Sequence, residues 1–175
     1  MIYIIVALKS EAQAFVDKYK LTKSSLKNYT LFSNETMKVI VSGIGVENSR
    51  LATQTLINQF DITDDDSYIN IGVCGANSKH SIGKLLQIGE LIYEGITYSF
   101  GEGVQLHCKD KEIDQGDFEA VDMESYGFYD AVIHNPAIKN FAIYKVVSDH
   151  YEPESLTKDM VKSLLFKQLD TLELF

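Results

Sequence analysis

The sequence predicts a three-layer αβα sandwich around a mixed, largely parallel central sheet. Three observations carry that prediction: continuous β-branched runs of strand length, amphipathic segments of helix length alternating with them, and glycine or serine at the points where the runs end. The 175 residues suffice for one domain with a substantial core, and no repeat, low-complexity tract or linker divides them.

Ile2 to Ala7 is an unbroken apolar run, the pattern of a strand covered on both faces. Ser10 offers an N-cap, and Ala12, Phe15, Val16 and Tyr19 follow at helical spacing to about Lys20. Tyr29–Ser33 and Met37–Ser42 alternate as a hairpin around Asn34-Glu35. Gly43-Ile44-Gly45 breaks that strand, and a helix is expected from about Glu47 to Phe60 with Leu51, Ala52, Thr55, Leu56 and Phe60 inward. Asp61–Asp66 reads as a solvated acidic connection. Tyr68–Val73, Leu85–Tyr93, Gly103–Cys108 and Phe141–Val147 read as further strands, with a polar loop from Asp110 to Glu119. A helix is expected from about Asp122 to His134, ending before Pro136, and a last one from Leu156 to Leu172 with Val161, Leu165, Leu169 and Leu172 on one side.

Composition narrows the function. The net charge is −9 and Arg50 is the only arginine, so no basic patch recommends nucleic acid or an anionic membrane as partner. Cys74 and Cys108 form no CxxC pair, and the four histidines show no HxH or HExxH spacing, so neither a disulfide framework nor a metal site is expected. The apolar start is too short for a signal peptide or a span and lacks a basic leader, which makes the cytoplasm the expected compartment. No cofactor-binding GxGxxG or GxxxxGK[ST] turn is present.

In open α/β sheets, ligands gather at the carboxyl ends of strands. Four strand exits carry glycine or carboxylate: Lys9-Ser10-Glu11, Gly43-Ile44-Gly45, Gly72 to Ala76, and Ser148-Asp149. A fifth contribution comes from Val121-Asp122-Met123-Glu124, which crowds acids beside apolar residues. Each has a plain structural alternative: Glu11 as a first-turn helix acid, Asp149 as a turn residue, and Asp122 and Glu124 as acids complementing a helix dipole.

These segments, in this order, resemble the purine nucleoside phosphorylase and nucleosidase superfamily, closest to the methylthioadenosine/S-adenosylhomocysteine nucleosidases. Ala7-Leu8-Lys9-Ser10-Glu11 resembles the family's first-strand exit, Ser42 to Val46 its glycine turn, and Asn70 to Ala76 its Asn-Thr-Gly-Ser-Ala-Gly-Gly stretch. Val121 to Glu124 is similar to the Val-Glu-Met-Glu ribose motif, and Ser148-Asp149 to the Ser-Asp that carries the catalytic acid. The resemblance implies the phosphorylase/hydrolase-like fold and cleavage of a purine nucleoside, with Asp149 as acid toward N7 of the base and Glu11 positioning water. It also implies Glu124 on the ribose hydroxyls, Met123 on the sugar face, and Asp122, Val73, Cys74, Gly75 and Ser148 around the substrate. No cofactor follows from it, and a homodimer or higher homo-oligomer does.

Three departures stand out. Val73 replaces a small hydroxyl residue, Asp122 replaces a glutamate, and the stretch between Leu91 and Gln105 is a glycine-rich shortcut where the family carries more sheet and helix. Phe118 and Tyr98 are the candidates for stacking on the base. The phosphorylases' Gly-Asp-Pro-x-Arg turn is absent, which favours water over phosphate as nucleophile. A phosphorylase and a shortened, non-catalytic nucleoside-binding protein are the alternatives.

Overall fold

The computed structural model describes residues 1–172. The chain begins with β1 (Ile2–Val6), α1 (Lys9–Tyr19), β2 (Thr22–Leu26), β3 (Tyr29–Ser33), β4 (Met37–Val41) and α2 (Val46–Gln59). β5 (Ser67–Ala76), β6 (Leu85–Tyr93), β7 (Ile96–Ser99) and β8 (Val104–Cys108) follow. Then come β9 (Ala120–Asp122), α3 (Ser125–Ile133), β10 (Asn140–Asp149) and α4 (Lys158–Gln168).

One mixed sheet joins all the strands. β1 lies parallel between β4 and β5, and β10 runs parallel along the other edge of β5. β3 and β2 extend the β4 side in antiparallel fashion. The last residues of β5, Gly75 and Ala76, outrun β1 and pair antiparallel with β9, which joins β8 in parallel. Alternation within β1 sorts the two faces. Tyr3 and Ile5 point into a core with Ala52 and Leu56 of α2 and Phe128 and Val132 of α3. Ile2, Ile4 and Val6 point into a second core with Ala12 and Phe15 of α1, Leu165 of α4 and Leu169 at its C-terminal cap. This is the expected three-layer sandwich.

Several local expectations are corrected. Ser10 lies inside α1; the start of that helix is held instead by Glu11, whose Oε2 accepts from the Ala7 and Leu8 N–H groups, both at 2.9 Å. On α2 the buried face is Val46, Ser49, Ala52, Thr53, Leu56 and Ile57, whereas Leu51 is 45% exposed. Thr53 is tolerated inside because its hydroxyl donates to the Ser49 carbonyl at 2.7 Å. Small residues are needed there because α3 approaches closely: a Cβ on Gly127 would stand 1.9 Å from the Val46 carbonyl oxygen. Gly127→Ala is therefore expected to cost on the order of 1–3 kcal/mol, as overpacked positions do, read as a lowered urea midpoint.

Asp122 ends a strand rather than starting a helix, and α3 begins three residues later at Ser125. The acidic loop is not wholly solvated, since Asp66 is buried and pairs with the terminal amine of Met1 at 2.8 Å. The last helix starts at Lys158, after a 3₁₀ turn at Pro153–Ser155, yet its four predicted inward residues are all buried. Among the described residues, no helix is long and apolar enough to cross a membrane.

Candidate active site

The carboxyl ends of β1, β5 and β10 open into one cleft of about 520 Å³. The predicted Glu11, Asp149 and Ser148 line it, as do Val73, Cys74 and Gly75 of β5 and Asp122, Met123 and Glu124 from the β9–α3 junction. All nine residues singled out in the sequence therefore meet in one space. Lys111, Glu112 and Ile113 of the polar loop close one side.

Glu11 is buried against the backbone of β5. Its Oε1 accepts from the Val73 N–H at 2.9 Å, and its Oε2 takes the Ala7 and Leu8 amides. Gly72 makes that approach feasible, because a Cβ there would stand 2.7 Å from Glu11 Oε1. Burial raises the carboxyl's pKa, and the three amides with Lys145 oppose that rise. A carboxylate offers about four acceptor positions, so three amide bonds leave one for a ligand or water.

Glu124 sits at the start of α3. Its Oε1 accepts from the Gly45 N–H at 3.0 Å, which ties the glycine turn after β4 to the acid. Burial, with Asp122 nearby, pushes its pKa up to about 7. In the unfolded chain the carboxyl returns to about 4.5. Between those values the folded state holds a proton that the unfolded state has lost, so the group's contribution to stability falls as pH rises from about 4.5 to 7. Glu124→Gln removes the titration. Its stability relative to the parent is expected to climb across that window, read from urea midpoints at several pH values.

Asp149 closes β10. Its Oδ2 accepts from the Ser148 hydroxyl at 2.7 Å and its Oδ1 from the Glu152 N–H at 2.9 Å. Those two bonds fix the carboxyl at the cleft wall beside Gly75, whose missing side chain leaves room for it. Burial pushes the Cys74 thiol far up, so it lines the cleft as an apolar wall.

Beneath these acids lies a residue the sequence reading passed over. Lys145 is buried on β10, its Nζ 2.8 Å from Asp122 Oδ2 and 2.8 Å from Asn70 Oδ1. Burial works against the ammonium, but Asp122 and Glu124 outweigh it and hold its pKa above the usual lysine value. Asp122 Oδ2 also caps α3 through the Ser125 N–H at 3.0 Å, while its Oδ1 is buried without a hydrogen-bond partner. A lone lysine inside the apolar run Phe141–Val147 was the available signal.

Neither stacking candidate lines the cleft. Tyr98 packs between Tyr126 and Tyr129 on the α3 side, and Phe118 lies against His107 with Lys109 over its ring. The apolar side chains that line the cleft are aliphatic, among them Ile44, Ile113, Val121 and Leu156. The shortcut between Leu91 and Gln105 is filled by the β6–β7 hairpin, whose Tyr98 and Phe100 cover α3. Arg50 is not in the cleft; it pairs with Glu47 at 2.6 Å and Asp130 at 2.8 Å, linking α2 to α3.

Comparison with solved structures gives extensive matches. A 5′-methylthioadenosine/S-adenosylhomocysteine nucleosidase from S. pneumoniae, bound to a transition-state inhibitor, superposes with a TM-score of 0.78 over 98% of this chain and 96% of that one, at 15% identity. The 5′-methylthioadenosine nucleosidase of Arabidopsis thaliana, in apo form, matches with a TM-score of 0.77 over 99% of this chain and 96% of its own, at 14% identity. The Neisseria meningitidis nucleosidase, in complex with methylthio-immucillin-A, gives 0.74 over 95% and 96%, at 16% identity. The chain has the nucleosidase fold. No family model and no curated protein matches the sequence. At this identity the fold is shared while most side chains differ.

Proposed function

We propose that the protein is a nucleosidase that hydrolyses the N-glycosidic bond of a purine nucleoside of the methylthioadenosine/S-adenosylhomocysteine type. The observation that carries this reading is the convergence of Glu11, Glu124 and Asp149 on one cleft, each fixed by backbone amides. Cleavage passes through an oxocarbenium-like state, so the site must protonate the leaving base, hold the sugar and activate water. As the C1′–N9 bond breaks, its electron pair moves into the purine and Asp149 delivers a proton to N7. Water then adds to C1′, and Glu11 takes the proton it sheds with its remaining acceptor position. Glu124 holds the 2′- and 3′-hydroxyls, and Met123 packs its thioether on the sugar. Asp122 and Lys145 set the field beneath. The protein acts as a soluble homo-oligomer of the cytoplasm without a cofactor.

Incubation with methylthioadenosine, adenosine and inosine, with and without phosphate, tests the reading by the appearance of free base. Release without phosphate is the expected result. Release that requires phosphate makes the protein a phosphorylase, and binding without turnover makes it a nucleoside-binding protein. The ionised form of Glu124 accepts both ribose hydroxyls, whereas the protonated form accepts fewer. The value of kcat/KM is therefore expected to rise with pH through about 7, and Glu124→Gln to lose that limb of the profile.

A further inference from the structure

The floor of the cleft is acidic, but its mouth carries three cations. Lys9 begins α1, Lys158 begins α4, and Lys111 stands on the polar loop; all three are exposed and all three line the cleft. None takes part in an ion pair or side-chain hydrogen bond among the described residues, although Glu112 stands at the same mouth. Elsewhere Lys18 and Lys162 pair with Asp170 and Asp17, Lys145 with Asp122, and Lys109 covers Phe118, while Lys23, Lys27, Lys79 and Lys167, also without an ion pair among the described residues, lie outside the cleft. In a chain of net charge −9, three unengaged lysines around one opening are a concentration that needs a cause.

A substrate seated with its base on Asp149 and its sugar on Glu124 leaves the first turns of α1 and α4 for whatever extends beyond the sugar. Leu8 and Ser10 at the start of α1, and Leu156 and Thr157 just before α4, line the cleft together with Lys9 and Lys158. Backbone amides at two helix starts add partial positive charge to the lysines, a setting that favours an anion. The carboxylates of Glu11, Asp122, Glu124 and Asp149 repel an anion placed on the floor, which leaves it the lysine-lined mouth.

We propose that the preferred substrate is a purine nucleoside whose 5′ substituent is anionic, a phosphate or a carboxylate, held by Lys9, Lys158 and Lys111. This rests on the nucleosidase reading and revises it at the 5′ position, since the neutral thioether of methylthioadenosine would leave the three lysines without a counterpart.

The test compares kcat/KM for adenosine, methylthioadenosine, adenosine 5′-monophosphate and adenosine 5′-carboxylate, with the full chain and its Lys9→Ala/Lys158→Ala variant. At least a tenfold preference for one of the anionic substrates is expected. The variant should lose that preference while retaining the rate on adenosine, and 0.5 M salt should weaken it. The phosphate and carboxylate arms identify which anion fits. Equal or better cleavage of methylthioadenosine overturns the proposal and leaves the nucleosidase reading standing. Acceleration of adenosine cleavage by inorganic phosphate overturns it too, because the lysines then serve the nucleophile. If no base is released from anything, the nucleosidase reading fails, and calorimetric binding of the same four compounds decides the anion preference by itself. Tenfold tighter binding of an anion supports it, and equal binding refutes it.

Discussion

Asp149→Asn is expected to lower kcat by roughly 10²–10⁴-fold, the range over which a positioned general acid contributes. That corresponds to about 3–5 kcal/mol of transition-state stabilisation. The substitution is nearly isosteric. An asparagine carbonyl still accepts the Glu152 N–H, and the Ser148 hydroxyl keeps its other acceptor, the Cys74 carbonyl at 3.1 Å. The fold should therefore survive, with unfolding midpoints close to the parent's. What disappears is the proton for N7. The loss should fall on kcat with KM little changed, and it should shrink for a riboside such as 4-nitrophenyl riboside, whose leaving group needs no protonation. A variant that cleaves methylthioadenosine at near-parental rate would remove Asp149 from the acid's role.

The parts of the fold that the sequence revealed are those where one local cause dominates. Buried parallel strands must be apolar on both faces, so Ile2–Val6 and Phe141–Val147 were visible as runs. β2 and β7 were missed because they are edge strands, Thr22-Lys23-Ser24-Ser25 being polar and exposed, and only their partners make them strands. The helix expected from Asp122 failed for a related reason. Three residues of β9 are held by pairing to Gly75 on one side and Leu106 on the other, contacts far away in sequence. The misplaced face of α2 followed from Gly127, whose close approach selects small Ser49 and Thr53 over Leu51. The cleft was easier to read, because chemistry-bearing residues at strand ends are forced together by a parallel sheet. Its stacking surface was not legible: which aromatic reaches the cleft depends on loop paths, and Tyr98 and Phe118 both turned to other neighbours.

Lys145→Met is expected to destabilise the protein by about 3–5 kcal/mol, the cost of leaving a buried charge without its partner. That is a large share of the roughly 5–15 kcal/mol that holds a domain folded, so the variant should show a clearly lowered urea midpoint. The burden falls on Asp122, whose side chain is enclosed beside Glu124 and Glu11 and whose Oδ1 already lacks a partner. Removing the ammonium also removes the charge that opposes the raised pKa values of Glu11 and Glu124, so both should rise further. The alkaline shift of the activity profile is the readout that a purely structural lysine would not give. Adding Asp122→Asn should recover part of the stability, because an amide can still cap α3 at Ser125 without an unpaired charge. The double variant separates two roles of the lysine. Asp122 itself raises the Glu124 carboxyl, so the profile should move back toward the parent's together with the stability; recovered stability with the profile still shifted would mean that Lys145 acts on Glu11 and Glu124 directly.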